Sequence, residues 1–193
     1  MALTTFLREF VCDPVQLGAV APSGPQLAQR MVEAAELGPG HVVVELGAGT
    51  GPMTEAIVRA RPDGPFVALE PNPALAAILR ERFPGVRIDE RLAQDLRAVL
   101  DDLGANHADR VVSSLPWAIW PEELQDEVFS AIIDVLAPDG RMVTFGYVHA
   151  QPLPAARRLQ RALQTRFRDV HSTRVAWRNL PPARVFVCAG PVR

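Results

Sequence analysis

The sequence contains no lysine, only two cysteines and few aromatic side chains. All 20 basic residues are arginine, and Phe, Trp and Tyr make up 6% of the 193 residues. Cys12 and Cys188 cannot build a disulfide framework, and no Cys/His group has the spacing of a metal site. A reducing, intracellular setting is therefore expected. No Gly-Lys-Ser/Thr sequence occurs, which excludes a P-loop, and the glycines do not follow the dinucleotide pattern Gly-x-Gly-x-x-Gly.

Long apolar runs are also missing. No segment approaches the roughly 18 apolar residues of a membrane span. Arg8, Glu9 and Asp13 interrupt the apolar N-terminal stretch, so no signal peptide is expected. With 48% hydrophobic and 22% charged residues, the composition is that of one globular domain with a sizeable core. We expect a single domain over residues 1–193 that is cytoplasmic and at most associated with a membrane surface.

The charge is unevenly distributed along the chain. Residues 1–150 hold 11 Arg against 21 acidic residues, whereas residues 151–193 hold 9 Arg and the single acid Asp169. An anionic partner is one explanation for this Arg-rich C-terminal segment. For Arg157, Arg158 and Arg161, a solvated helix face is the alternative explanation.

Strand patterns alternate with helix patterns from residue 41 onward. Strands are predicted over 41–46, 66–70, 86–88, 109–114 and 141–147, and helices from 52, over 73–82, 122–136 and 154–167. This alternation predicts an α/β fold with a mainly parallel sheet and helices on both faces. Two further strand patterns at 173–177 and 184–189 have no helix between them. They predict an antiparallel hairpin at one edge of the sheet.

The first 36 residues predict two helices ahead of the first strand. Apolar residues recur at helical spacing over residues 3–11. Ser23, followed three residues later by Gln26, resembles a capping box that opens a second helix ending at Ala35. We expect this pair to form a lid or a membrane-contacting element beside a cofactor-binding core of residues 41–193.

A glycine loop, Gly47-x-Gly49-x-Gly51, joins the first predicted strand to a helix. Glycines at such a junction let the backbone turn tightly and approach a ligand closely. Glu70 ends the next strand, where a carboxylate can accept both ribose hydroxyls of an adenosine. The alternative is that these are cap and turn residues of a generic α/β domain.

Residues 45–51, Glu-Leu-Gly-Ala-Gly-Thr-Gly, resemble the first motif of class I S-adenosylmethionine-dependent methyltransferases. The resemblance implies a Rossmann-like, seven-stranded sheet and S-adenosyl-L-methionine as the cofactor. It implies that Glu45 lies near the cofactor's amino group, that Glu70 holds the ribose and that Asp95 accepts the adenine amine. The full cofactor-binding set expected from it is Glu45, Gly47, Ala48, Gly49, Gly51, Glu70, Pro71, Asp95, Ser114 and Ser23.

Ser114-Leu115-Pro116-Trp117 follows a predicted strand and resembles the Asn/Asp/Ser-x-Pro-aromatic motif of methyltransferases that modify nitrogen. The polar side chain and the next backbone carbonyl can accept hydrogen bonds from an amine, and an aromatic face can stabilise a cationic ammonium. Because the sulfonium is already activated, alignment and desolvation should dominate catalysis. The base would be solvent or His149. The alternative is a strand-end turn with a packed tryptophan.

Over nearly its full length the chain is similar to the small bacterial phospholipid N-methyltransferases, which are related to the ribosomal RNA adenine dimethyltransferases. The segments that carry this similarity are residues 6–8, Pro14 and residues 18–23, 145–147 and 177–183. The resemblance implies stepwise methylation of phosphatidylethanolamine to phosphatidylcholine, and membrane contact through the N-terminal helix. It implies catalytic roles for Ser114, Trp117 and Tyr147, and an acceptor site formed by Leu115, Pro116, Trp117, Tyr147 and Asn179.

Four functions remain open at this point. The first is methylation of a phospholipid headgroup amine, with peripheral membrane contact through residues 1–13 and the Arg-rich C-terminal segment. The second is N-methylation of a soluble amine. Methylation of RNA adenine is less favoured, because the bulk of the chain is acidic and we expect no appended RNA-binding domain, so no nucleic-acid partner is expected. The fourth is cofactor or partner binding without turnover.

Overall fold

A computed structural model describes residues 24–60, 63–177, 179 and 181–193. Its helices are α1 (Pro25–Ala35), α2 (Pro52–Ala60), α3 (Pro73–Arg82), α4 (Leu96–Leu103), α5 (Glu122–Val135) and α6 (Pro154–Arg166). Its strands are β1 (Val43–Leu46), β2 (Phe66–Leu69), β3 (Arg87–Asp89), β4 (Ala108–Ser113), β5 (Leu136–Tyr147), β6 (Phe167–Ser172) and β7 (Ala183–Pro191). Short 3-10 turns cover Ala93–Asp95, Trp117–Ile119 and Val148–Ala150.

The seven strands form one sheet in the order β3-β2-β1-β4-β5-β7-β6. Strands β1 to β5 pair in parallel, while β7 pairs antiparallel with both β5 and β6. The carboxyl ends of β1 to β6 therefore lie at one edge of the sheet, which we call the carboxyl edge. The mostly parallel sheet with a C-terminal antiparallel pair confirms the predicted fold class.

Each face of the sheet is covered by three helices. Val44 and Leu46 of β1 face one cluster with α4, α5 and α6, whereas Val43 faces the other, with α1, α2 and α3. This alternation follows from the period of two along a strand. Burial on both faces is why the inner strands read as continuous apolar runs.

Three predictions about elements were wrong or incomplete. Residues 173–177 are not a strand but a loop with a single bridge from Ala176 to Ala183, because β6 begins directly where α6 ends. Helix α4 was not predicted, although Leu96, Val99 and Leu100 are buried on one face. Helix α1 begins at Pro25 with Gly24 as its N-cap and no side-chain cap.

The apolar stretch at 1–13 and residues 18–23, which include Ser23, lie outside the described residues, as do residues 178 and 180 of the segment 177–183. Within the part of the chain that is described, no helix combines the length and the hydropathy that crossing a bilayer requires.

Candidate active site

The glycine loop crosses the carboxyl ends of β1 and β2. The N–H groups of Gly47 and Ala48 donate to the Leu69 carbonyl at 3.0 and 3.1 Å. Gly47, Gly49 and Gly51 all have positive φ, at 75°, 57° and 93°, a backbone conformation that a side chain disfavours. A Cβ at Gly49 would meet no atom within 4 Å. The backbone at Gly49 is therefore open to a ligand.

The other two glycines are close to neighbouring elements. A Cβ at Gly47 would lie 3.2 Å from Leu115 Cδ2, in the segment after β4. A Cβ at Gly51 would lie 2.7 Å from Phe83 Cε2 and 2.9 Å from Leu79 Cδ2. The lack of a side chain at Gly47 allows the glycine loop to contact the Ser-Leu-Pro-Trp turn. The lack of a side chain at Gly51 allows α2 to approach α3.

Glu70 connects the glycine loop to the start of α3. Its Oε2 accepts from the Gly49 N–H at 2.7 Å and its Oε1 from the Asn72 N–H at 3.0 Å. Desolvation raises the pKa of Glu70, while the two backbone N–H groups oppose this rise. A carboxylate has about four lone-pair sites, so acceptor capacity remains for ligand hydroxyls. Pro71 follows it and is partly buried.

Glu45 is fully buried in β1. Its Oε2 accepts from Thr54 Oγ1 at 2.8 Å, but its Oε1 has no partner among the described residues. Burial, opposed by the hydrogen bond from Thr54 and aided by the nearby charge of Glu70, raises the pKa of Glu45 to about 8. An unpaired buried acceptor is costly, and a cationic amino group placed there would satisfy it.

Asp95 lies in the short turn that follows β3. Its side chain is exposed, and its Oδ2 accepts from the Leu92 N–H at 3.2 Å. The residue thus caps a turn on the β3 side of the carboxyl edge. Its predicted contact with the adenine stays a prediction.

Ser114 lies against the glycine loop. Its N–H donates to the Leu46 carbonyl at 2.8 Å, and its backbone carbon would lie 3.7 Å from a Cβ at Gly47. The Oγ is buried and has no partner among the described residues. It is a second unpaired polar atom beside the loop, available to a ligand.

The side chain of Trp117 is buried in the core, and its predicted contact with the acceptor amine stays a prediction. The residue is 1% exposed. Its ring stacks on Phe129 with centroids 4.3 Å apart and an interplanar angle of 17°. Its Nε1 donates to Ser113 Oγ at 3.2 Å. The indole packs in the core on the α5 side of the sheet, because its stacking partner Phe129 lies in α5.

The backbone of the Ser-Leu-Pro-Trp turn is held in place by hydrogen bonds. The Leu115 carbonyl accepts from the Trp117 N–H at 3.0 Å, and the Pro116 carbonyl accepts from the Ile119 N–H at 3.1 Å. The predicted acceptor carbonyl of Leu115 is therefore already used once, with one lone pair remaining.

Gln125 is a positioning residue that sequence reasoning missed. Its buried amide Nε2 donates to the carbonyls of Trp117 at 2.7 Å and Trp120 at 3.1 Å. The available signal was a glutamine on the same helical face as Val128, Phe129 and Ile132, since a polar residue within an apolar stripe needs a buried partner.

Tyr147 ends β5 and is partly buried. Its ring meets Phe145 edge to face with centroids 5.4 Å apart, and stacks on His149 at 5.7 Å. Burial raises the pKa of its hydroxyl to about 12, so the phenol is neutral at physiological pH. These three rings form an aromatic row at the carboxyl end of β5.

Asn179 holds α1 against the turn between β6 and β7. Its Oδ1 accepts from the Gly24 N–H at 3.1 Å, and its Nδ2 donates to the Pro181 carbonyl at 2.6 Å. The turn also reaches the aromatic row, because the Val148 N–H donates to the Pro182 carbonyl at 2.9 Å. The Asn179 amide therefore positions the turn, and a direct contact with a headgroup stays a prediction.

The chain resembles known proteins in sequence and in fold. Residues 43–140 match the family model of a methyltransferase domain. An ornithine lipid N-methyltransferase of Singulisphaera acidiphila is 38% identical over 189 residues, covering 96% of this chain and 94% of the relative. A ribosomal RNA small subunit methyltransferase A of Thermotoga maritima is 44% identical, but over only 37% of this chain and 26% of the relative.

A solved structure agrees with this assignment at the level of the fold. The precorrin-6y C5,15-methyltransferase of Geobacter metallireducens superposes with a TM-score of 0.66 and 17% identity, covering 85% of this chain and 87% of that one. The open backbone at Gly49 and the unpaired oxygen of Glu45 fit S-adenosyl-L-methionine, which supplies an electrophilic methyl group when bound. The chain belongs to the class I S-adenosylmethionine-dependent methyltransferases.

Proposed function

We propose that this methyltransferase methylates the amine nitrogen of a membrane lipid. The observation that carries the proposal is the 38% identity, over 96% of the chain, with a protein named for N-methylation of an ornithine lipid. The Ser-Leu-Pro-Trp turn adds a chemical reason, because its unpaired Ser114 Oγ can accept a hydrogen bond from an amine. An N–H so held leaves the nitrogen lone pair free to attack.

The cofactor would be held by the β1 and β2 side of the edge. Glu45 Oε1 would pair with its amino group, the remaining lone pairs of Glu70 would accept from the ribose hydroxyls, and Gly49 would lie beneath it. Ser114 Oγ would orient the acceptor amine from the β4 side. Because Ser114 and Glu45 are both shielded from solvent, the amine would lose its water shell there, which favours the neutral, nucleophilic form.

Two lipid amines are candidates for the acceptor. The headgroup amine of an ornithine lipid is favoured by the relative that matches along the whole chain. Phosphatidylethanolamine is the second candidate, favoured by the resemblance of residues 18–23, 145–147 and 177–183 to phospholipid N-methyltransferases. Both present a primary amine next to an anionic group, so the same Ser114 geometry serves either.

The test is transfer of labelled methyl groups from S-adenosylmethionine to acceptors supplied side by side. The acceptors are vesicles containing ornithine lipid, vesicles containing phosphatidylethanolamine, and the soluble amines ornithine and ethanolamine. We expect label in lipid, with ornithine lipid ahead. Label confined to the soluble amines, or to added RNA, would overturn the proposal.

A pair of serine variants tests the role of the turn. Ser114→Ala removes the unpaired hydroxyl and is expected to lower kcat/KM by about tenfold, the worth of one hydrogen bond to a reacting group. Ser130→Ala is the matched control, because Ser130 Oγ is exposed and donates only to the Asp126 carbonyl within α5. Equal activity of the two variants would exclude Ser114 from acceptor binding.

A further inference from the structure

Three large apolar side chains are exposed on loops at the carboxyl edge. Ile119 is 42% exposed in the turn after β4, Leu153 is 53% exposed ahead of α6, and Trp177 is 70% exposed in the loop after β6. Helix α6 contacts the turn that carries Ile119, and Leu153 is the N-cap of that helix. We call these three residues the apolar rim. They border the part of the edge where Ser114 and Tyr147 lie.

The loop that presents Trp177 is held in place. The Arg30 guanidinium of α1 donates to the carbonyls of Arg174 at 3.0 Å and Val175 at 3.5 Å. The Ala176 N–H donates to the Ala183 carbonyl at 2.7 Å. Trp177 is therefore exposed on a supported backbone, and an indole in water is an unfavourable arrangement for the free protein.

Exposed arginines lie on the β5 to β6 side of the apolar rim, while the exposed acids Glu122 and Glu123 follow Ile119 at the start of α5. Arg157 and Arg174 are exposed and make no ion pair among the described residues. Arg157 lies near the N-terminus of α6, which is the positive end of the helix dipole. The dipole therefore does not stabilise the charge of Arg157. Asp169, the single acid after Asp139, lies nearer the start of β6, away from this edge.

We propose that the apolar rim and its arginines dock this enzyme on an anionic lipid bilayer, with the carboxyl edge facing the membrane. Tryptophan and aliphatic side chains partition into the headgroup region, and arginines gain from anionic lipid. Large exposed apolar side chains favour a bilayer over RNA, since phosphate contacts need only the arginines. The proposal deepens the proposed function, because a docked edge would bring the lipid amine to Ser114.

The native fluorescence of the protein gives a direct test. Trp117 and Trp120 are buried, so Trp177 dominates any emission change that depends on vesicles. We expect a blue shift and quenching by brominated lipid on adding phosphatidylcholine vesicles that contain phosphatidylglycerol, and a smaller change without phosphatidylglycerol. No change with either vesicle would overturn the proposal. A salt-sensitive shift with RNA and none with vesicles would also overturn it.

Variants separate the rim from other exposed apolar residues. Trp177→Ser and Leu153→Ser are each expected to weaken vesicle binding about tenfold in sedimentation assays, and Arg157→Gln about fivefold on anionic vesicles only. Ile78→Ser is the matched control, because Ile78 is 44% exposed on α3, and it should bind like the parent. An equal loss for Ile78→Ser would contradict a localised rim.

The ratio of the methylation rate on vesicles to the rate on detergent-dispersed lipid distinguishes failure of this proposal from failure of the proposed function. The rim variants should lower the rate on vesicles more than the rate on detergent-dispersed amine lipid. An unchanged ratio would overturn the rim while leaving lipid methylation intact. Vesicle binding through Trp177 without any methylated lipid would overturn the proposed function and leave the rim.

Discussion

The two halves of the carboxyl edge are built differently. On the β1 to β3 half, Glu45 and Glu70 are buried and Glu70 accepts backbone N–H groups at 2.7 and 3.0 Å. On the β5 to β6 half, Trp177 and Leu153 are exposed, and Arg157 and Arg174 make no ion pair within the described part of the chain. The first half offers buried carboxylates to a small ligand, and the second presents exposed apolar side chains. Such a difference suits a methyltransferase whose cofactor is a soluble small molecule and whose acceptor is a lipid within a membrane.

The largest expected effect is on stability, and it distinguishes Trp117 in the core from Trp177 in the apolar rim. Trp117→Ala removes the stacking on Phe129 and the hydrogen bond to Ser113, and is expected to lower the free energy of unfolding by about 3–5 kcal/mol. Trp177→Ala should change it by less than about 0.5 kcal/mol. Urea denaturation measures both. A stable but inactive Trp117→Ala protein would support a substrate-facing role for Trp117.

On the β1 to β3 half, replacing Glu70 should weaken cofactor binding more than replacing any exposed acid. Glu70→Ala removes the acceptor of two backbone N–H groups and the predicted ribose contact, and is expected to weaken S-adenosylmethionine binding at least about a hundredfold. Isothermal titration calorimetry measures this, with Glu81→Ala on the exposed face of α3 as the control. Binding by Glu70→Ala at parent affinity would place the cofactor elsewhere.

The burial of Glu45 predicts a pH dependence of stability. Its pKa is about 8 in the folded protein against about 4.3 for a solvated glutamate. The folded state therefore binds more protons than the unfolded state between these values, so stability falls as pH rises through that window. We expect the cofactor-free protein to lose roughly 2–3 kcal/mol by pH 7 relative to pH 4.5.

Glu45→Gln should flatten this profile, because glutamine still accepts from Thr54 and carries no charge. The exposed variant Glu33→Gln should retain the parent slope. Thermal melts of all three proteins across the window measure the effect. A parent-like slope in Glu45→Gln would show that another group causes it.

A smaller effect concerns the packing of the glycine loop. Gly51→Ala would place a Cβ 2.7 Å from Phe83 at a φ of 93°, and is expected to cost about 1–2 kcal/mol of unfolding free energy. Gly85→Ala is the matched control, since a Cβ there would meet nothing within 4 Å. Equal stabilities of the two variants would contradict the close approach of α2 to α3.

The strands and helices around the glycine loop could be predicted from the sequence because their signals are local. The glycine loop and the acid that ends β2 lie within a short stretch, and each has a direct physical meaning. The structure places Gly47 against Leu115, as expected when two motifs both follow strands of one parallel sheet. Strand β6 was misplaced because it follows α6 without a turn residue and is polar at the sheet edge.

The acceptor half could not be predicted as well because its geometry depends on distant partners. The direction of the Trp117 ring is set by Phe129 and Ser113, and the turn around it by the Gln125 amide. Nothing in a Ser-Leu-Pro-Trp pattern specifies these contacts. Likewise, the loop that exposes Trp177 is supported by a hydrogen bond from Arg30 to the carbonyl of Arg174. These two residues lie 144 positions apart in the sequence.

Tandem mass spectrometry of the product tests the central claim most directly. The enzyme is incubated with S-adenosylmethionine that carries a deuterated methyl group and with vesicles of ornithine lipid mixed with phosphatidylethanolamine. We expect lipid products whose deuterium lies on the headgroup nitrogen, formed about tenfold more slowly by Ser114→Ala but at the parent rate by Ser130→Ala. Deuterium found only in water-soluble amines, or on an oxygen or carbon of the lipid, would contradict it.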